Sequence, residues 1–314
     1  MIPTEVKSLL QRRIARLVTS EVMADLVSCA WVAERLGKVP LKILDGSWYL
    51  PMAKRDVARE FLACRIPSAT RFDIDAVVDP ELSPPLPHML PRDPVLFSAY
   101  MTTLGVHHEQ TIVAYDSAGI LASPRVWYSL RLFGARNVAV LDGGLPEWKR
   151  LGLPVESGAV ELKLSERGPF KARFDARGLW TKEQVLNRLE LGSEEVLVDA
   201  RPVGRFTGVD PEPRAGLLGG HIPGALNVPF NSLISDQGKM RSPEELKSVL
   251  TSSGIDLASP RLDIVASCGS GITACVVLFA AHLAGVPLSK LALYDGSWSE
   301  WGDPDNKLPR ASSE

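Results

Sequence analysis

Cysteine is scarce in this chain: four in 314 residues, at positions 29, 64, 268 and 275. That excludes a scaffold built on disulfides. No two of them form a Cys-x-x-Cys pair, which argues against a zinc ribbon and makes a reducing compartment the default. Neither sign of charge dominates, with 35 Lys and Arg against 37 Asp and Glu and a formal charge of −2. The balance speaks against a general binder of nucleic acid or of anionic membrane. Long apolar runs are also missing. The longest, residues 274–281, is far short of the roughly 18 residues that suggest a membrane span. No P-loop, dinucleotide fingerprint or repeated Cys/His spacing appears, so no metal and no organic cofactor is expected. What remains is ordinary for a soluble globular protein, 45% hydrophobic and 23% charged. The length suggests two domains of roughly 150 residues each.

The N-terminus differs from the rest. Residues 1–24 carry Lys7, Arg12, Arg13 and Arg16 against Glu5 and Glu21. Val6, Leu9, Leu10, Ile14, Leu17 and Val18 recur at helical spacing. A basic amphipathic extension reads either as a mitochondrial transit peptide or as a short surface helix. A mitochondrial or cytoplasmic location is expected.

The chain repeats itself. Residues 141–148, LDGGLPEW, match 294–301, YDGSWSEW, and Arg65-Ile-Pro-Ser-Ala69 matches His221-Ile-Pro-Gly-Ala225. Ile43-Leu-Asp45 matches Leu197-Val-Asp199. Three anchors in one order at nearly one offset indicate a duplicated domain. The second Asp-Gly-Ser-Trp pair, 45–48 and 295–298, falls at different places in the repeat and is a decoy. Short β-rich runs (43–44, 111–115, 138–141, 196–198, 264–266, 291–294) alternate with helical stretches such as 125–133 and 272–284. This pattern predicts an α/β fold, each half a mostly parallel sheet flanked by helices. We expect domains over 25–155 and 179–314. Residues 156–178, with Gly158, Gly168 and Pro169, are expected to connect them.

One segment carries chemistry. In residues 264–275, IVASCGSGITAC, an apolar strand runs into Cys268, a glycine-rich turn and a helix. Gly269 and Gly271 allow backbone turns that aim several N–H groups inward, a nest for an anion above a helix N-terminus. A free thiol with pKa near 8.5 is only a few per cent thiolate at neutral pH. A helix terminus supplies about 0.3–1 kcal/mol, or about 2 in good geometry, so amide donors must add to it. A reactive thiolate is expected at Cys268, and a core role for Cys275 inside the helix. Aligning the halves sets Ser117 opposite Cys268. With no general base evident beside it, the first half is expected to be chemically silent while shaping the cleft.

These residues make the chain similar to the tandem-domain rhodaneses, or sulfurtransferases, over roughly 25–305. Within that family it resembles the 3-mercaptopyruvate branch. The carrying motifs are residues 268–274 (CGSGITA), 204–214 (GRFTGVDPEPR), 72–75 (FDID) and 87–90 (PHML). The resemblance implies two rhodanese-like domains, the first catalytically silent. It implies transfer of the sulfur of 3-mercaptopyruvate through a Cys268 persulfide, with release of pyruvate. Acceptors would be a thiol such as thioredoxin, or cyanide, and hydrogen sulfide could form. It assigns the substrate carboxylate and ketone to Arg205 and Arg214, whose planar forks suit them. It assigns a proton relay to Ser270, Asp75 and His88, and sulfur-cradling N–H groups to Gly269, Gly271, Ile272 and Thr273.

The chain also departs from the family. Arg65-Ile-Pro-Ser68 replaces His-Ile-Pro-Gly in the first half, and Ile272 replaces valine in the loop. Ala284 stands where mammalian relatives have a cysteine used for redox dimerisation. Redox control of that kind is therefore not expected, and a monomer or weak homodimer is the expected state. Three other readings compete. Thiosulfate-specific relatives carry an Arg-Lys pair after the cysteine, where this chain has Gly269-Ser270. Cysteine phosphatases need an arginine six residues after theirs, where this chain has Ala274. A non-catalytic sulfur carrier or interaction module would suit the first half but not the Cys268 loop.

Overall fold

The computed structural model describes residues 23–82, 86–108, 110–161, 168–192 and 194–312. The basic N-terminal stretch lies almost wholly outside them. The first half runs β1 (Leu26–Val27), α1 (Cys29–Arg35), β2 (Leu41–Asp45), α2 (Val57–Ala63), β3 (Thr70–Arg71), α3 (Pro94–Thr103), β4 (Thr111–Tyr115), α4 (Ser123–Leu132), β5 (Val138–Leu141) and α5 (Gly144–Arg150). The second runs β6 (Leu179–Trp180), α6 (Lys182–Leu191), β7 (Val196–Asp199), α7 (Val203–Thr207), β8 (Leu226–Asn227), α8 (Pro243–Ser252), β9 (Ile264–Ser267), α9 (Ala274–Leu283), β10 (Leu291–Tyr294) and α10 (Ser297–Trp301).

Each half holds one five-stranded parallel sheet. The orders are β1-β5-β4-β2-β3 and β6-β10-β9-β7-β8, the same arrangement twice. The central strands β4, β5, β9 and β10 are almost completely buried, which is why they read as unbroken apolar runs. Helix starts carry their own signals. Ser28, Asp56 and Asp93 each accept an N–H from the first turn, and Thr181/Gln184 and Ser242/Glu245 form capping boxes.

Strand register corrects one expectation. Asp45 pairs with Tyr115 in the first sheet, and Asp199 with Ser267 in the second. The next residues are therefore equivalent, Asp116 with Cys268, and Ser117 matches Gly269 instead. The carbonyls agree: Asp116 O accepts Leu145 N–H, and Cys268 O accepts Trp298 N–H. The slip arises because the first-half loop is one residue longer before its helix begins.

One core runs through both halves. Helices α4 and α9 pack across the junction, where the buried Trp127 ring meets Phe279 at 4.8 Å between centroids. Trp127 Nε1 also donates to Asp25, which the His282 ring contacts at 3.0 Å. The chain between the halves packs on the first: Glu156 bridges Arg65, and buried Phe170 lies against Phe97.

Candidate active site

The Cys268 loop begins where β9 ends and closes where α9 starts. Cys268 is buried, 2% exposed. Its N–H donates to Ser297 Oγ at 3.2 Å. Gly271 turns the chain at φ +78°, and no side chain fits there. A β-carbon would stand 2.8 Å from Asp295 Oδ1 and 2.9 Å from Arg125 Nη1. Among the described residues, the N–H groups of Gly269, Ser270, Gly271, Ile272 and Thr273 have no hydrogen-bond acceptor.

The first half shows what such a loop holds. There the Asp116 carboxylate accepts N–H bonds from Ala118, Leu121, Ala122 and Ser123 at 2.8–3.0 Å, and the Ser123 hydroxyl at 2.7 Å. The same turn thus begins with a fixed carboxylate in one half and with a cysteine in the other. A turn of this kind suits an anion, and the first half fills it with the Asp116 carboxylate.

Two arginines stand over the loop. A β-carbon on Gly269 would lie 3.0 Å from Arg205 Nη2 and 3.7 Å from Arg214 Nη1. Arg205, on α7, is held by Glu212 through Nε at 3.2 Å and Nη2 at 2.5 Å. Glu212 also accepts from Arg201 at 2.7 Å. Arg201 is itself clamped by Asp199 and lies 4.2 Å over the Trp298 ring. Arg214 Nη2 donates to Ser270 Oγ at 3.1 Å. Burial pulls the Arg214 guanidinium below its ordinary value, and the nearby Cys268 sulfur opposes that.

The first half supplies the other wall. Asp75, in a short turn at Ile74–Ala76, bonds His88 Nδ1. Burial would raise the Asp75 carboxyl, but the hydrogen bond and charge of His88, with Trp48 and Arg71, hold it below the usual carboxylate range. The Trp48 indole donates to Asp75 at 3.2 Å and meets the His88 ring edge-on at 4.7 Å. His88 Nε2 is buried without a hydrogen-bond partner.

The ten residues expected from sequence thus form two groups. Loop residues 268–273 gather with Arg205 and Arg214, and Asp75 pairs with His88 across from them. The direct Ser270–His88 bond that a relay needs is absent, because Ser270 Oγ is taken by Arg214. Sequence reasoning missed Trp48, Arg125, Glu212 and Asp295. Trp48 sat in the Asp-Gly-Ser-Trp decoy. Glu212 lay inside the 204–214 motif. Arg125 gave no signal either, since its helix also carries Arg131, Ser123 and Ser129.

Comparison with known proteins agrees with this architecture. The rhodanese-like domain model matches residues 28–151 and 181–303. The chain is 42% identical to the 3-mercaptopyruvate sulfurtransferase of Mus musculus over 291 residues, 91% of this chain and 94% of that one. It is 40% identical to the thiosulfate sulfurtransferase of Rattus norvegicus, over 92% of this chain and 96% of that one. The crystal structure of the 3-mercaptopyruvate sulfotransferase SseA from Escherichia coli superposes with a TM-score of 0.76 at 38% identity. It covers 88% of this chain and 100% of that one. With two matched domains, one duplicated sheet order and a cysteine in the second anion loop, the chain belongs to the rhodanese family as a tandem of two rhodanese-like domains.

Proposed function

We propose that Cys268 is the sulfur-carrying nucleophile of a 3-mercaptopyruvate sulfurtransferase. Overall identity does not choose between sulfur donors, since mercaptopyruvate and thiosulfate enzymes match almost equally well. The carrying observation is the space at Gly269. A side chain there would press on Arg205 Nη2. An arginine at 269, as in the thiosulfate pattern, would crowd the Arg205 guanidinium and require it to give way. With glycine, Arg205 and Arg214 stay over the loop as a pair suited to a carboxylate and its adjacent ketone.

In this reading the Cys268 thiolate attacks the thiol sulfur of the donor. The S–S bond forms as the C–S bond breaks, and the bonding pair passes to the three-carbon fragment as the pyruvate enolate. Protonation of that carbon gives pyruvate and leaves Cys268 as a persulfide. A thiol acceptor such as thioredoxin then takes the outer sulfur, or cyanide takes it to give thiocyanate. A second thiol of the acceptor releases hydrogen sulfide as a disulfide forms. The unpartnered N–H groups of residues 269–273 stabilise the sulfur anion. His88, with Nδ1 turned to Asp75, has Nε2 available to exchange a proton with Ser270 or the enolate. Substrate binding to Arg214 would free Ser270 Oγ for that exchange.

Steady-state turnover with 3-mercaptopyruvate and with thiosulfate, on wild type and Cys268→Ser, tests the reading. A strong preference for mercaptopyruvate, abolished by the substitution, is expected. Equal or faster turnover of thiosulfate would overturn the donor assignment. No turnover of either would favour a carrier or interaction module.

A further inference from the structure

We infer that the buried Arg125–Asp295 pair positions the His88 segment against the Cys268 loop, so that Arg125 and Asp295 are positioning residues for sulfur transfer. The inference rests on the proton-relay reading above. Arg125 comes from α4 of the first half and is fully buried, and Asp295, after β10 of the second, is 1% exposed. Arg125 Nη1 donates to Asp295 Oδ1 at 2.6 Å and to the Gly271 carbonyl, inside the cysteine loop, at 3.2 Å. Its Nη2 donates to the His88 carbonyl at 2.6 Å. Asp295 Oδ2 accepts the Leu90 N–H at 2.7 Å. One guanidinium and one carboxylate therefore grip the backbone on both sides of the site.

Two observations show that the grip does more than stabilise. The first is the backbone of His88, at φ +63°. A residue with a β-carbon is uncommon there and held at a cost. The other half offers the comparison. Met240 N–H donates to Asp142 as Leu90 N–H does to Asp295, which makes Gly238, at φ +72°, the counterpart of His88. Where no side-chain chemistry is needed the chain uses glycine; beside Cys268 it places histidine in the same conformation and bonds its carbonyl.

The second observation is asymmetry. The first turns of α9, which match the position of Arg125, carry Val276 and Val277. Among the described residues, the Asp116 loop therefore has no arginine at that helix position. Burying an ion pair is often neutral or costly compared with apolar packing, and its best-attested use is to fix one arrangement. Among the described residues, this cross-half pair has no counterpart at the Asp116 loop.

The test is a double-mutant cycle with two readouts. Arg125→Lys keeps the charge but loses the fork, and His88→Asn suits the left-handed backbone. Turnover of 3-mercaptopyruvate by Arg125→Lys is expected to fall about 10- to 100-fold in kcat, the scale of a small misplacement of reacting groups. KM should change little, because Arg205 and Arg214 remain. The double variant should be no slower than His88→Asn alone. Losses that multiply, a rise in KM alone, or wild-type kcat would overturn the inference.

Hydrogen exchange at Leu90 reads the clamp independently and should quicken in Arg125→Lys; unchanged exchange would overturn the inference. A fully active His88→Asn together with faster exchange at Leu90 would overturn the relay reading and leave the clamp. If Arg125→Lys does not fold, Arg125→Met/Asp295→Leu removes both charges together and avoids leaving one unpaired. It should fold and still lose kcat, and full kcat in that variant would overturn the inference.

Discussion

At the scale of single residues, Arg214 is the side chain on which most of the proposed site converges. It touches Ser270, and its guanidinium feels burial first, then Cys268, Arg205, Glu212 and Asp75. In the proposed mechanism this partly desolvated cation would exchange its protein partner for a substrate carboxylate, a charge-assisted bond of about 1.5–3 kcal/mol. Arg214→Ala should therefore lower kcat/KM for 3-mercaptopyruvate about 10- to 100-fold, at about 1.4 kcal/mol per tenfold. Arg214→Lys should recover little, because a point charge does not reproduce the planar fork. Steady-state kinetics on both variants, with circular dichroism to confirm folding, decide it. Full recovery by lysine would show that charge alone, not bidentate geometry, acts at this position.

At the scale of elements, the turn before β3 shows how the repeat tolerates drift. Ser68 stands at φ +61° where its counterpart Gly224 stands at φ +73°. The turn survives the change, and Ser68 N–H gains a bond to Glu156 Oε2 at 3.0 Å. The serine pays strain of roughly 1–2 kcal/mol in the left-handed region. Glycine would relieve it but lose roughly 0.5–1 kcal/mol to unfolded-state freedom. Ser68→Gly should thus gain about 0.5 kcal/mol in a urea titration, with no change in kcat. A loss of stability would mean that the left-handed serine is not strained.

The same scale shows what was legible in the sequence. The six buried strands were readable because a parallel strand covered on both faces reads as an apolar run, as at 112–115 and 264–266. The two-residue edge strands β1, β3, β6 and β8 carry no period and were not. Helix α9 begins at Ala274, two residues later than its apolar pattern suggests, because the glycine turn takes Ile272 and Thr273 into the loop. Loop residues 268–273, Arg205 and Arg214 were legible as motifs. Trp48, Arg125 and Asp295 were not, since their partners lie 27, 37 and 205 positions away. Asp116 was hidden by one inserted residue. Local order fixes a motif, but only tertiary pairing reveals what braces it.

At the scale of the whole molecule, the two halves exchange covers. Residues 88–90 of the first lie against the Cys268 side of the second, and residues 238–240 of the second lie against the Asp116 side of the first. Lys239 anchors the latter by reaching Glu147 at 2.7 Å. Arg150, from the same helix as Glu147, and Lys239, from the other half, hold the Glu147 carboxyl down from about 4.5 to about 2. Its counterpart in the repeat, Glu300, is pushed up by burial, against the pull of Tyr294 and Lys182. The two carboxyls thus have opposite linkage. A depressed carboxyl adds stability above its unfolded pKa, and that stability is lost as pH falls through the folded value. Glu147→Gln should melt below wild type at neutral pH, and the gap should close as pH falls from about 4.5 towards about 2. A raised carboxyl works the other way, its stability present in acid and lost as pH rises through the folded value. Glu300→Gln should therefore melt no lower than wild type at neutral pH, relative to its own acid baseline. Thermal midpoints measured across that range on both variants separate the two cases. A pH-independent gap for Glu147→Gln would mean that the side chain contributes through packing, and that Lys239 does not tie the halves electrostatically.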